Sequence, residues 1–335
     1  MKATIKTFIL EKTGALSYVE LEEIQVLWSG YGQIVRLALQ GATNLANPVP
    51  KTVVVKHVDL PDENLHPRGW NTTISHQRKV HSYHVEMNWY QNWASRCNEH
   101  CRVPKNFGTL KDGQEFIVIL EDLDASGYAL RINDASLSDM YPCLSWLANF
   151  HALFLMESPV GLWDTGTYWH LATRPDELAA LDDKELKQNA PVIDKTLGNA
   201  RWQTLVHGDA KLANFCFSLD RQKVAAVDFQ YVGKGCGMKD AAYFIGSCLS
   251  EDECEQHEST LLDYYFKELV AALKRSEAKQ EHPIDYVDLE REWRDMYPIA
   301  WTDFYRFLKG WSPDHWKIHR YSERLAQETL NRLSK

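Results

Sequence analysis

Residues 205–244 read LVHGDAKLANFCFSLDRQKVAAVDFQYVGKGCGMKDAAYF, and no other stretch constrains the fold as much. Two short apolar runs, 214–219 and 224–229, flank a polar connection at 220–223, the pattern of a β-hairpin. Asp209 and Asn214 fall on the loop entering the first strand, and Asp228 ends the second. A hairpin folds back on itself and brings Asn214 and Asp228 together. Converging oxygen-bearing side chains suit Mg²⁺, a hard cation that takes one or two protein carboxylates and keeps sites for phosphate oxygens.

The spacing Asp209-x-x-x-x-Asn214, with Lys211 two residues after the Asp, also matches a kinase catalytic loop. In that template the Asp accepts the proton of the substrate hydroxyl, the Asn holds a metal, and a later Asp-Phe-x supplies a second metal ligand. Here the later element is Asp228-Phe229-Gln230. The set His207-Gly208-Asp209…Asn214…Asp228-Phe229 resembles the aminoglycoside phosphotransferase and choline kinase group, which has the protein-kinase fold. The run Gly237-Met238-Lys239-Asp240-Ala241-Ala242-Tyr243-Phe244 is most similar to its ecdysteroid-kinase-like branch.

That resemblance implies an α+β, bilobal, protein-kinase-like fold. An N-terminal lobe, residues 1–121, would carry an antiparallel sheet plus a helix and bind nucleotide. A mainly helical C-terminal lobe, residues 122–335, would carry the catalytic hairpin and bind substrate. The N-terminal third is patterned accordingly. Residues 1–23 predict a first helix or edge element, and strands at 24–27 and 34–39 flank Ser29-Gly30-Tyr31-Gly32-Gln33. Strand, Gly-x-Gly turn and strand is the arrangement of a phosphate-covering loop, although its third glycine is absent. A polar turn over 41–51 leads to a β-branched strand at 52–58, where Val54, Lys56 and Val58 share one face. A breaker-rich loop over 59–71 precedes a helix at about 72–95.

On that helix Tyr83, Glu86, Met87, Tyr90 and Trp93 recur at three- and four-residue intervals. An unpaired Glu86 on an aromatic face would be costly to bury, and Lys56 is its expected partner. Strands at 107–110 and 116–120, joined through an Asp-Gly turn, complete the lobe. The resemblance makes Glu121-Asp122-Leu123 the hinge, with Glu121 and Leu123 beside adenine. It also assigns Gly30, Gly32, Lys56 and Glu86 to ATP, Asp209 and Lys211 to catalysis, Asn214 and Asp228 to Mg²⁺, and Asp240 to bracing the catalytic loop. Read by position alone, Asp240 opens a helix at 241–249 as a candidate cap.

Further helices are predicted at 138–157, at 263–273 and at 288–308, with an acidic helix pair or connection at 174–194. His151 lies on the apolar face of the first and reads as a hydrogen-bonded core residue. The last is aromatic-rich, and Trp293, Trp311 and Trp316 fall outside its main stripe. These three are expected to line the acceptor pocket. Aromatic faces with nearby carboxylates favour a cationic acceptor; rings without them favour an apolar polycyclic alcohol.

The chain has 335 residues, 25% of them charged, and a formal net charge of −9. Without a Lys/Arg block, nucleic acid is disfavoured as a partner. The longest apolar runs fall far short of a membrane span, and Lys6 interrupts any signal-like opening. Seven cysteines include no Cys-x-x-Cys pair, and Cys97, His100 and Cys101 make an incomplete zinc site. Reduced thiols in a cytoplasmic protein are expected.

The expected activity is ATP- and Mg²⁺-dependent phosphoryl transfer to a small-molecule alcohol. A protein kinase fits less well, because the interval from Phe229 to Ala241 leaves little room for an activation segment and no Ala-Pro-Glu follows. Two other readings are a catalytically silent nucleotide-binding regulator and a metal hydrolase built on His207, Asp209 and Asp228. The hydrolase leaves Lys56, Glu86 and the glycine turn unexplained.

Overall fold

The computed structural model describes residues 2–27, 30–42, 49–60, 73–276 and 284–334. Ser29, positions 43–48 of the expected turn and positions 61–71 of the expected loop lie outside the described residues.

The first lobe comprises α1 (Ala3–Thr13), β1 (Ser17–Val26), β2 (Gly32–Gln40), β3 (Thr52–Asp59), α2 (Thr73–Asn92), β4 (Asn106–Asp112) and β5 (Glu115–Glu121). The strands form one antiparallel sheet in the order β1-β2-β3-β5-β4. Alternation along each strand sorts the residues onto two faces. Val35, Leu37, Val53, Val55, Ile117 and Ile119 point one way and bury Ile5 and Ile9 of α1. Val58, Phe116, Val118 and Leu120 point the other way and join α2 in the main core. Among the described residues α1 thus covers the outer face of the sheet and α2 the inner one.

The second lobe is mainly helical. Its helices are α3 (Leu137–Leu153), α4 (Pro175–Ala180), α5 (Lys184–Gly198), α6 (Met238–Cys248), α7 (Glu251–Ser276), α8 (Tyr286–Trp311) and α9 (Arg320–Leu333). Between α5 and α6 lie four short strands: β6 (Thr204–Val206), β7 (Phe215–Phe217), β8 (Val224–Ala226) and β9 (Gly233–Gly235). β7 pairs with β8 as the predicted hairpin, whereas β6 pairs with β9. A capping box formed by Ser136 and Asp139 starts α3. Asp285 accepts from Val287 and Asp288 amides to start α8. The sequence reading contained no counterpart of α9, although Tyr321, Leu325, Ala326 and Leu330 recur at helical spacing and are buried.

Rings join the lobes. Phe229, just past the hairpin, stacks on Trp89 of α2 at 4.5 Å and lies 4.7 Å from His207. Trp146 and Phe150 of α3 stack at 4.9 Å and extend the cluster. The helix that carries Glu86 and the loop that carries Asp209 thus rest on a common aromatic core.

Candidate active site

The loop after β6 is held from below. Asp240, in the first turn of α6, accepts the His207 amide on Oδ2 at 2.5 Å and the Gly208 amide on Oδ1 at 2.9 Å. Asp240 therefore braces the loop and does not cap its own helix, whose N-cap is Gly237. His151 lies between Asp240 (3.1 Å) and the Tyr265 hydroxyl (2.7 Å), wholly buried. It is a core residue, as read from the sequence. Gly208 has φ +79°, and a Cβ there would lie 2.1 Å from the Tyr231 carbonyl. Only glycine lets the loop turn so close to the strand beyond it.

That turn delivers Asp209 to the cleft. Its Oδ1 accepts from the Tyr243 hydroxyl at 3.1 Å, and its Oδ2 accepts from Lys211 Nζ at 3.0 Å and Asn214 Nδ2 at 3.1 Å. Burial raises the Asp209 carboxyl above its ordinary range, Lys211 opposing and Asp228 adding to the shift. The carboxylate is fixed by three donors from two elements.

The hairpin places Asp228 next to this loop, since the Val227 amide donates to the Asn214 carbonyl at 3.0 Å. Asp228 has φ +68°, a conformation that non-glycine residues rarely hold without surrounding restraint. The restraint is visible: Gln230 Nε2 donates to Asp228 Oδ1 at 2.7 Å, and Lys56 Nζ lies 3.5 Å from the same oxygen. Lys56 in turn meets Glu86 at 2.7 Å, both side chains buried. Burial alone would raise the Asp228 carboxyl, but Lys56, Lys79 and Lys211 override it and hold it down to about 2. Asp228 is thus ionised throughout the physiological range.

The donors fit a hard divalent cation. Asn214 spends its Nδ2 on Asp209, which leaves Oδ1, and Asp228 spends Oδ1 on Gln230 and Lys56, which leaves Oδ2. One carboxylate oxygen and one amide oxygen, with room for phosphate and water, is a magnesium-type set. Among the described residues no group of three His, Cys, Asp or Glu is placed to hold a metal ion.

Lys56, Glu86, Asp209, Lys211, Asn214 and Asp228 all line one cavity of 1120 Å³ between the lobes, as do Glu121 and Leu123. Its upper wall is apolar, with Leu27, Ile34, Val54, Leu120, Leu123 and Ile132. At the glycine turn Gly32 has φ +132°, and a Cβ would fall 2.0 Å from the His57 carbonyl, so the turn lies flat on β3. Gly30, at φ +70°, has open space where its Cβ would be. The Glu121 carboxylate does not face the cavity freely: Arg102 holds both oxygens at 2.5 Å and the Lys105 amide donates at 2.9 Å.

The cavity continues past Asp209 between Tyr168, Tyr231, Tyr243, Phe304, Phe307 and Trp316. Trp311 and Trp316 line this part and are 43% and 58% exposed, but Trp293 is 0% exposed and donates its Nε1–H to the Trp202 carbonyl. Trp293 is core, contrary to expectation, because the α8 face it occupies is covered by α3 and α7 residues such as His151 and Tyr265. Asp303, a carboxylate of the same helix, does not line the cavity and is buried against Arg306 at 2.9 Å and Trp169 at 3.1 Å.

Several cavity residues were not singled out from sequence. Lys79 on α2 donates to Gln230 Oε1 at 2.8 Å, and burial lowers its pKa to about 8. Arg174 and Lys317 reach the aromatic half from a short loop and from the α8–α9 connection. Lys79 precedes Glu86 by two helical turns, a spacing that offered a signal. Nothing local marks the other two.

Comparison with known proteins supports the same fold. The ecdysteroid kinase-like family matches residues 168–278, which include the catalytic loop, the hairpin and Asp240. No curated protein sequence matches the chain. Among solved structures, an amicoumacin kinase crystallised with AMP-PNP and Ca²⁺ is 12% identical, with 99% of this chain and 96% of that chain covered and a TM-score of 0.50. A microcompartment-associated aminopropanol kinase is 14% identical over 99% and 94%, with a TM-score of 0.48. An aminoglycoside phosphotransferase from Streptomyces rimosus, solved with ADP and streptomycin, is 13% identical over 89% and 98%, with a TM-score of 0.46. Among the described residues no helix is long and apolar enough to cross a membrane. The chain thus has the fold of that amicoumacin kinase, and its residues 168–278 match the ecdysteroid kinase-like family model.

Proposed function

We propose that this protein transfers the γ-phosphoryl group of ATP to a hydroxyl of a small molecule, with residues 1–121 as the nucleotide-binding lobe and 122–335 as the catalytic and substrate-binding lobe. One observation carries the reading: a triply anchored Asp209 shares a cleft with the Lys56–Glu86–Asp228 ion set. Asp209 orients the acceptor hydroxyl and takes its proton, while Tyr243 and Asn214 keep the carboxylate from swinging away. Lys56, set by Glu86, holds the α- and β-phosphates, and Lys211 offsets charge that develops on the transferred group. Asn214 and Asp228 would hold Mg²⁺, which supplies charge neutralisation across the phosphates. On this reading Gly30 and Gly32 would cover the phosphates, and the 121–123 hinge would meet adenine. Such catalysis rests on positioning and electrostatics.

The short segment after the hairpin supports a small-molecule acceptor over a protein. Trp163 donates to the Val232 carbonyl and accepts from the Lys234 amide, and β9 pairs with β6, so residues 232–235 are held by backbone pairing. Calorimetry with ATP, with and without Mg²⁺, together with ATP consumption across a library of small alcohols, tests the reading. Metal-dependent binding and turnover with at least one alcohol are expected. No binding at millimolar ATP overturns it, and binding without turnover on any alcohol favours a silent regulator.

A further inference from the structure

The cavity is lined by more cations than the Lys56–Glu86–Asp228 ion set accounts for. In a chain of net charge −9, Arg78, Lys79, Arg174, Lys211 and Lys317 all line this cleft, against Asp176, Glu177, Asp209 and Asp228. Most of these cations are engaged. Lys211 meets Asp209 at 3.0 Å, Arg174 meets Glu177 at 2.9 Å, Lys79 donates to Gln230, and Arg78 donates to the Thr173 carbonyl at 2.6 Å.

Lys317 is different. Among the described residues its Nζ makes no ion pair and no hydrogen bond. It sits among rings instead, 5.0 Å from the centre of Tyr243, 5.5 Å from Phe304 and 5.4 Å from Trp316. Its backbone is pinned, the amide donating to His315 Nδ1 and the carbonyl accepting from Ser322 Oγ. Burial presses its pKa down to about 8, the mark of an ammonium short of counter-charge.

The ring faces matter equally. A cationic acceptor would be held over aromatic faces. Here Lys317 covers Tyr243, Phe304 and Trp316, and the Arg174 guanidinium lies 5.7 Å from Tyr168 and 5.1 Å from Phe307. The protein's own cations occupy the positions an amine would need, and like charges would repel it.

We propose that Lys317 determines acceptor specificity, and that the acceptor is an alcohol with an apolar, ring-sized body bearing an anionic group such as a carboxylate or sulfate. The word acceptor rests on the phosphotransferase reading; the anion site does not. Its apolar body would lie between Tyr168, Tyr243, Phe304 and Trp316, its anion on Lys317, and its hydroxyl toward Asp209.

The test is calorimetric titration of the full chain with three matched probes: naphthalene-2-sulfonate, 2-naphthalenemethanol and 2-naphthylmethylammonium. The sulfonate should bind roughly tenfold tighter than the alcohol, with the ammonium weakest, as a charge-assisted contact requires. Lys317→Gln should bring the sulfonate level with the alcohol, and Lys317→Glu should reverse the order of sulfonate and ammonium. A thermal melt of each variant separates lost charge from lost fold. The proposal is overturned if the wild type binds the ammonium as tightly as the sulfonate, if the sulfonate does not bind, or if folded Lys317→Gln keeps the tenfold preference. If the probes rank as expected but no alcohol in the library is phosphorylated, the phosphotransferase reading falls and the anion site stands.

Discussion

The two halves of the cleft are built on opposite electrostatic plans. Toward the sheet, charges are answered within the protein: Lys56 by Glu86 and Asp228, Asp228 by Gln230, and Glu121 by Arg102. Toward α8, the cation on Lys317 is answered only by rings. The closed half can hold a constant partner in one geometry whatever else is bound. The open half leaves an interaction for the ligand to complete, which is how a site selects among ligands. Conserving one substrate and choosing another thus become separate properties of separate walls.

The largest test of that division is Asp209→Asn, which sits on the boundary. Turnover on any verified acceptor should fall about 10³-fold, within the range for removing a positioned acid–base group. ATP affinity measured by calorimetry should change little, and a mutant with near-wild-type turnover would break the assignment. Next comes a pair of substitutions in the closed half and its support. Glu86→Ala leaves the buried Lys56 with only the 3.5 Å contact to Asp228 and should cost roughly 3–5 kcal/mol of stability. Trp293→Ala should cost a similar ~3–5 kcal/mol by opening a core cavity. Trp316→Ala, on the open wall, should stay within about 0.5 kcal/mol in chemical denaturation yet raise the acceptor KM.

The smallest effect concerns pH. Lys79 faces Asp228, Lys56, Glu86 and Asp209, and with a pKa of about 8 it is charged below that pH and neutral above it. The part of Mg²⁺-ATP affinity that depends on this charge is therefore present at pH 7 and lost as pH rises past 8. The loss should be about fivefold, the scale of one net hydrogen bond. Asp228, held down near 2, and Lys56, raised above its ordinary value, do not titrate in that window. Lys79→Met should flatten the profile from pH 7 to 9. A profile that keeps its alkaline fall in this variant would assign it to another group.

The closed half was the legible one. Asp209, Lys211, Asn214 and Asp228 lie within one short stretch, where spacing and turn chemistry alone bring them together. Lys56 and Glu86 are distant, but each stood out as a charge on an apolar face. The open half draws Tyr168, Arg174, Tyr243, Phe304 and Lys317 from four segments, and no local pattern records that they meet. Trp293 shows the limit from the other side: falling outside a helical stripe marked it as surplus, whereas α8 is covered on more than one side and buries it completely. α9 is mostly polar, with its buried apolar residues confined to Tyr321, Leu325, Ala326 and Leu330, and Asp240 reads as a cap because position alone does not tell which amides a carboxylate meets.

The backbone pairing that holds residues 232–235 bears on how such a chain can be controlled. Between the hairpin and α6 the backbone is tied to Trp163 on one side and to β6 on the other. Protein kinases commonly carry their on–off latch in the corresponding interval. On the phosphotransferase reading, a chain with that interval fastened down would lack such a latch there, and its rate would follow the supply of ATP and acceptor. Restraint would then come from a competitor in the cleft or from how much of the protein is made.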